Sequence, residues 1–494
     1  MRYKIQILCI GLLLIWTVTQ AACDNDRASP SSDTSDPTHD SETAEPSLPL
    51  KVHPDNPRYF SDSSGDIVYL TGSHTWANLV DIAPDDPPTV FDFIEYLDFL
   101  KDRNHNFIRL WTWELTKFSY NDKIRYSAPH PWLRTGPGNA LDELPKFDLS
   151  QFDTEYFSRL RERVEAADER GIYVSIMLFE GHAVKHSDYP WKWQGHPFNT
   201  ENNMNGIDGN PDNSYTGDEI YTISDSVYDV TRLQESYVRK IIDTVNDFDN
   251  VLFEIGNEVV PASTQWQYHM IEYVKNYEAS KPFQHPVGMT FQIQGGNNAT
   301  LFDSPADWIS PNSIADMVDY FGNPPAADGS KVIIIDTDHL CGIGCGPNAY
   351  RWVWKSFLRG YNPIYMDPWG DMDHFELHDA GDEAIRDNMG YTLTYANKMN
   401  LVDMIPRPEL STTGYCLANP GSEYLFYQPV SGAFTVTLDS GDYYYEWFNP
   451  DTGKIVESGD YAAPTGDNSF LPPFGGHAVL YLKSLEGFKP VVAM

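Results

Sequence analysis

Three short stretches carry side chains suited to acid–base chemistry. In Asn250-Val-Leu-Phe-Glu-Ile-Gly-Asn-Glu-Val-Val260 a β-prone apolar run ends in an adjacent amide and carboxyl, Asn257 and Glu258. In Lys331-Val-Ile-Ile-Ile-Asp-Thr-Asp-His339 a second apolar run ends in Asp336, Asp338 and His339. In Asn106-Phe-Ile-Arg-Leu-Trp-Thr-Trp-Glu114 a charged Arg109 interrupts an apolar strand pattern. A carboxyl that moves a proton, beside an amide that can hold a hydroxyl, suits the chemistry of sugars. A buried Arg needs an acidic partner, which Arg109 must find on another element.

The elements around these stretches alternate. Strand patterns are read at Thr71–Trp76, Asn106–Glu114, Ile172–Phe179, Asn250–Val260, Pro286–Gln292, Met317–Phe321, Lys331–His339 and Asn362–Trp369. Helix-period segments follow at Thr89–Leu100, Thr154–Arg170, Tyr228–Phe248, Thr264–Glu278, Tyr350–Arg359 and Asp382–Met399. In the first, Phe91, Ile94, Leu97 and Leu100 have helical spacing. Eight strands with intervening helices predict an α/β fold, a (β/α)8 TIM barrel, in which polar residues at the C-terminal strand tips face the active site. Tyr59–Leu70 reads as a β-hairpin leading into the first barrel strand. From about Pro406 the helices give way to short β-runs separated by turns, which predicts a small C-terminal antiparallel β-sandwich.

The long connection Ala183–Ser224 holds Trp191, Trp193 and a Gly/Asn/Asp-rich part. After a barrel strand it is placed over the active-site face, with the Trp pair as a sugar platform. Its Asp/Asn cluster has calcium-type ligands but lacks EF-hand spacing.

Phe253-Glu-Ile-Gly-Asn-Glu258 resembles the fourth-strand motif of the clan of retaining glycoside hydrolases built on (β/α)8 barrels. The resemblance implies that Glu258 is the general acid/base. It implies a nucleophile at the tip of the seventh strand, where the clan carries Glu and this chain offers Asp338 or Asp336. Asp338 is preferred because His339 follows it, as an aromatic often follows the clan nucleophile. Two residues apart on a strand, both acids are expected on one face. Arg109 matches the clan Arg that supports the nucleophile. His182 matches a third-strand sugar-binding His, Tyr320 a sixth-strand residue contacting the nucleophile, and Trp369 the eighth-strand Trp that floors the first subsite. His74, Trp76, Trp113 and Glu114 stand at strand tips as further substrate contacts. The hairpin, Thr71–Trp76 and the C-terminal sandwich are nearest to the apiosidase-like branch, some members of which have been labelled collagen-binding.

The chain has 494 residues, and 41% hydrophobic content is compatible with a packed core. Its 14% aromatic content, with 13 Trp and 30 Tyr, suits stacking on sugar rings as well as packing. A net charge of −37 argues against nucleic acid as a partner. Residues 1–22 read as a secretory signal, with Arg2 and Lys4 before the apolar run Ile5–Val18 and small residues Ala21-Ala22 at its end. Cys23 follows in a bacterial lipoprotein-like box and is the expected lipidation site. Residues 23–49 are rich in Ser, Asp, Thr and Pro and read as a flexible tether. The expected organisation is then a barrel over 50–405 and a β-sandwich over 406–488. Cys341 and Cys345 flank Gly-Ile-Gly, and a local disulfide is expected in an oxidising compartment. No cysteine spacing fits a zinc site, and no cofactor is expected.

The expected function is cleavage of a glycosidic bond in a plant or algal polysaccharide or its side chains. The protein would be exported, periplasmic or on the cell surface, and would touch the membrane only through its lipid. The alternative is a non-catalytic surface lipoprotein that binds carbohydrate or protein, with a degenerate barrel. An inverting mechanism is a third possibility, marked by a wider carboxyl separation.

Overall fold

The computed structural model describes residues 47–120, 123–181, 184, 192–212, 217–313, 317–346, 349–369 and 380–486. The leader, Cys23 and nearly all of the tether lie outside these residues, as do His182 and Trp191.

The parallel strands are β1 (Gly72–His74), β2 (Phe107–Leu110), β3 (Tyr173–Glu180), β4 (Val251–Asn257), β5 (Val287–Thr290), β6 (Trp308–Ser310), β7 (Val332–Asp336) and β8 (Asn362–Met366). Hydrogen-bonded neighbours run in the order β1-β8-β7-β6-β5-β4-β3-β2. The barrel closes where β1 meets β2. There the N–H of Asn106 donates to the Thr71 carbonyl at 3.1 Å. A Cβ on Gly72 would collide with the Phe107 carbonyl, so only glycine allows this approach.

Helices α1 (Phe93–Asp102), α2 (Thr154–Asp168), α3 (Tyr228–Val245), α4 (Thr264–Glu278), α5 (Asn298–Phe302), α6 (Tyr350–Leu358) and α7 (Ala380–Lys398) complete the barrel. Strand alternation sorts the side chains. Ile108, Leu110, Phe253, Ile255, Ile333 and Ile335 join the helix stripes in the largest core. Leu70, Phe107, Leu252, Trp308, Val332, Ile334 and Ile364 form a separate cluster inside the barrel. Two residues further along β2, β4 and β7, the inward positions are Arg109, Glu254 and Asp336. On β1, His74 lies four beyond Leu70.

The C-terminal region is a six-stranded antiparallel sheet ordered Ile405–Pro406, Cys416–Asn419, Glu423–Gln428, Ala478–Ser484, Gly441–Asn449, Lys454–Ala463. A two-stranded ribbon, Phe434–Leu438 with Gly466–Phe470, packs on it through Phe434, Val436, Trp447, Phe470 and Leu480. The sheet's other face meets the barrel helices: Trp354 and Tyr395 share a core with Tyr427, Phe448, Val479 and Tyr481.

Three expectations about elements are corrected. Met317–Phe321 is not the sixth strand; that strand is Trp308–Ser310, whose three residues give only a short signal. Met317 is 95% exposed at φ +53°, and Tyr320 packs against Tyr361 in the connection to β7. Helix α1 starts at Phe93, because the Asp92 side chain caps it by accepting the Glu95 N–H. Its buried stripe is Phe93, Tyr96, Leu97 and Leu100, while Ile94 is exposed. Between β2 and α2 the chain adds unexpected antiparallel strands, Lys117–Tyr120 and Lys123–Ala128 beside Asp81–Ala83, then the pair Trp132–Asn139 and Pro145–Phe152.

Candidate active site

Arg109 is the centre of the barrel mouth. It is 1% exposed and donates to Glu254 through Nε at 2.8 Å and Nη2 at 2.6 Å. Its Nη1 donates to Asp336 at 2.7 Å and to Asp338 at 3.3 Å. Nη2 also reaches Asn257 Oδ1 at 3.0 Å. Burial alone would disfavour the guanidinium charge, but Glu254, Asp336 and Asp338 more than reverse this and raise its pKa.

Asp336 is enclosed by partners. His74 Nε2 lies 3.1 Å from Oδ1 and 3.0 Å from Oδ2, and the Asp338 N–H donates to Oδ1 at 2.9 Å. Burial pushes its carboxyl up, yet His74 and Arg109 hold it below the usual aspartate range. The two acids do not stand on one strand face. Asp336 ends β7 and caps a tight 3-10 turn, Thr337–His339, which carries Asp338.

Asp338 reaches open space. It lines a cleft of about 340 Å³ with Trp76, Trp111, Trp113, Asn257, Glu258, Cys341, Gly342, Ile343 and Met366. Burial, Glu258 and Asp336 push its carboxyl well above the usual range, against the pull of Arg109. Arg109 thus helps to hold Asp336 in its charged form, whereas at Asp338 its pull is outweighed. Glu258 follows the last residue of β4 and takes φ +49°, which turns the chain out of the strand direction.

His339 is buried and fixes the amide between these acids. Burial pushes its pKa down to about 4, so the ring is neutral at neutral pH. Its Nε2 lies 3.1 Å from Asn257 Oδ1 and its Nδ1 2.9 Å from Ser310 Oγ. With Nε2–H donating, Asn257 Oδ1 accepts from both His339 and Arg109.

The other sequence candidates divide. His74 supports Asp336 and stacks on Trp111 at 5.6 Å between ring centres, rather than lining the cleft. Trp76 and Trp113 line the cleft, 5.9 Å apart between ring centres. Glu114 turns aside: its Oε2 accepts the Glu180 N–H at 3.0 Å and the Tyr221 hydroxyl at 2.5 Å. Trp369 stacks on Phe99 at 4.1 Å and lines a neighbouring cleft with Ala77, Phe91 and Glu95, so it does not floor the one that holds Glu258. Tyr320 lies outside the constellation, against Tyr361, because it does not belong to β6. Trp193, read as a platform, is 5% exposed and stacks on His196 within its own connection. Among the described residues no cluster of three or more His, Cys, Asp or Glu is arranged to hold a metal.

Sequence reasoning missed Glu254 as the bidentate partner of Arg109, although it stands in the motif around Glu258. It also missed Trp111, Ser310, and Asn312, whose amide donates to the His339 carbonyl. The inward alternation of β4 was the available signal for Glu254. None marked Ser310 or Asn312, because β6 itself was misplaced.

Residues 126–303 match the family described as "Domain of unknown function (DUF6298)". No curated protein matches the chain in sequence. Among solved structures, one named "Glycoside hydrolase" is similar with a TM-score of 0.57 at 13% identity, over 89% of this chain and 97% of that one. A glycoside hydrolase family 5 structure from Bacteroides vulgatus gives 0.58 at 13% identity, over 90% and 94%. At this identity the likeness is one of fold.

Proposed function

We propose that the protein is a glycoside hydrolase whose reacting carboxyl groups are Glu258 and Asp338. The observation that carries this reading is that both line one tryptophan-walled cleft at the barrel mouth, close enough for Glu258 to raise the Asp338 carboxyl. Two carboxyl groups that repel each other in a poorly hydrated site retain one proton between them. With that proton on Glu258, Asp338 is the carboxylate that faces Arg109. Glu258 protonates the departing oxygen while Asp338 attacks the anomeric carbon and forms a glycosyl ester. Glu258 then takes a proton from water, which cleaves the ester and frees Asp338. The Asn257 NH2 group holds a sugar hydroxyl, and Trp76 and Trp113 offer faces for the ring.

A second reading exchanges the roles, and the raised Asp338 carboxyl favours it, since a proton donor needs a raised pKa. Azide separates the two. With an activated aryl glycoside, Glu258→Ala rescued by azide with retained anomeric configuration supports the first assignment. Rescue of Asp338→Ala in its place supports the second.

The substrate in this reading is a plant or algal polysaccharide or its side chains, as in the apiosidase-like branch that the hairpin and C-terminal sheet resemble. The reading includes export and a diacylglyceryl anchor on Cys23. A glycan screen of the wild type against Glu258→Gln tests the function. Mass spectrometry of the native N-terminus tests the anchor, and an unmodified N-terminus at another residue removes it. A screen in which the two proteins release the same products would refute the assignment of Glu258.

A further inference from the structure

Three residues beyond Asp338 begins a loop of unusual composition, Cys341-Gly-Ile-Gly-Cys-Gly346. Its first part is tied to the end of β7: the N–H groups of Leu340, Cys341 and Gly342 converge on the Thr337 carbonyl at 3.0, 2.9 and 2.7 Å. Past that point Gly342, Gly344 and Gly346 take φ of +76°, +61° and +88°. Glycine adopts such angles readily, and by the same freedom has many alternatives to them. What closes the loop covalently is a disulfide between Cys341 and Cys345.

The loop is part of the site. Cys341, Gly342 and Ile343 line the same cleft as Glu258, Asp338 and the three tryptophans. Ile343 and Cys345 also pack against the main core. Cys341 is exposed, so a dissolved thiol can reach its sulfur.

We propose that the Cys341–Cys345 disulfide fixes Ile343 as an apolar wall of the catalytic cleft, where it determines how a sugar fits and makes substrate binding sensitive to reduction. The proposal rests on reading the cleft as the glycosidase site. Asp338 is held independently by Arg109 and Asp336, so opening the loop acts on binding more than on chemistry. Reduction by a dithiol breaks the Sγ–Sγ bond and forms two thiols, while the reductant closes to its own cyclic disulfide. A cross-link over so short a segment acts by removing loop conformations, which the three glycines otherwise restore.

The test uses the full chain, oxidised, reduced with dithiothreitol, and as the Cys341→Ser/Cys345→Ser double variant. Hydrogen exchange over 340–346 and tryptophan fluorescence report the wall without reference to catalysis. Both are expected to change on reduction and in the double variant, with faster exchange at 343–346. Kinetics on 4-nitrophenyl glycosides of glucose, mannose, galactose and xylose are expected to show KM rising about tenfold with kcat within about twofold, where tenfold corresponds to ~1.4 kcal/mol. Ile343→Ala should reproduce the KM change and respond little to dithiothreitol. Unchanged exchange on reduction overturns the proposal, because the Thr337 carbonyl would then suffice to hold the loop. Faster exchange with unchanged KM overturns it too. If no glycoside is cleaved in either redox state, the glycosidase reading fails; binding of the same glycosides, followed by fluorescence, then decides whether reduction weakens the site.

Discussion

Asp336 accepts the backbone N–H of Asp338 at 2.9 Å, so an acid with no access to the cleft positions the acid that has it. The buried member also holds His74 and Arg109, whereas Asp338 takes a longer 3.3 Å contact from Arg109. The two substitutions should therefore differ in kind. Asp336→Ala leaves Arg109 short of a partner in the barrel and should cost about 3–5 kcal/mol of stability, the usual consequence of breaking a buried ion pair. Asp338→Ala should cost far less and abolish turnover. Denaturant titration and single-turnover kinetics on both variants check this; equal losses of stability would show that the two acids share one structural role.

The pH dependence of stability should carry opposite signatures from the two acids. Asp338 is raised in the folded chain. Its contribution is complete below the unfolded aspartate value of about 3.9 and is lost as pH rises through the folded value. Asp336 is lowered. Its contribution is present above about 3.9 and is lost as pH falls toward its folded value. Relative to wild type, Asp338→Asn should flatten the decline on the alkaline side. Asp336→Asn should flatten the decline on the acid side. Denaturation midpoints measured across pH decide both.

Trp76 is half-buried and lines the cleft, whereas Trp111 and Trp113 are buried. Trp76→Ala should thus remove a cleft-facing ring with little loss of core. KM is expected to rise about tenfold, ~1.4 kcal/mol, with kcat changed less. A fall in kcat at constant KM would place Trp76 in transition-state stabilisation instead.

Trp354 on α6 is fully buried between the barrel and the C-terminal sheet, with Tyr395, Tyr427 and Phe448 around it at 5.7, 6.2 and 5.9 Å between ring centres. Trp354→Ala should cost about 3–5 kcal/mol. Deleting 406–486 should expose this apolar face and yield an aggregating barrel, read by light scattering. A soluble, cooperatively folding truncation would show that the barrel stands without the sheet.

Much of the barrel was legible in the chain because its strands are buried on both faces and read as continuous apolar runs. Seven of the eight strands were found that way, while helical spacing marked α2, α3, α4, α6 and α7. Trp308–Ser310 escaped because three residues make too short a run, and Val318 and Tyr320 mimic alternation in a connection. The inserted strands between β2 and α2 escaped because Lys, Arg and Gly stand among their apolar residues.

The sequence by itself determined that an amide and acids stand at the ends of strands, with an Arg inside one, since local alternation and run length decide where strands stop. Only the tertiary structure decided which of these groups meet. The choice between Asp336 and Asp338 turns on a 3-10 turn that swings one acid toward the cleft and leaves the other against Arg109. Glu254 meets Arg109 only because β2 and β4 pair on either side of β3 and turn both side chains inward. Tyr320 and Trp369 are drawn off by aromatic partners distant in sequence, and Trp193 by His196 within its own connection, because burying a large ring outweighs its placement along the chain.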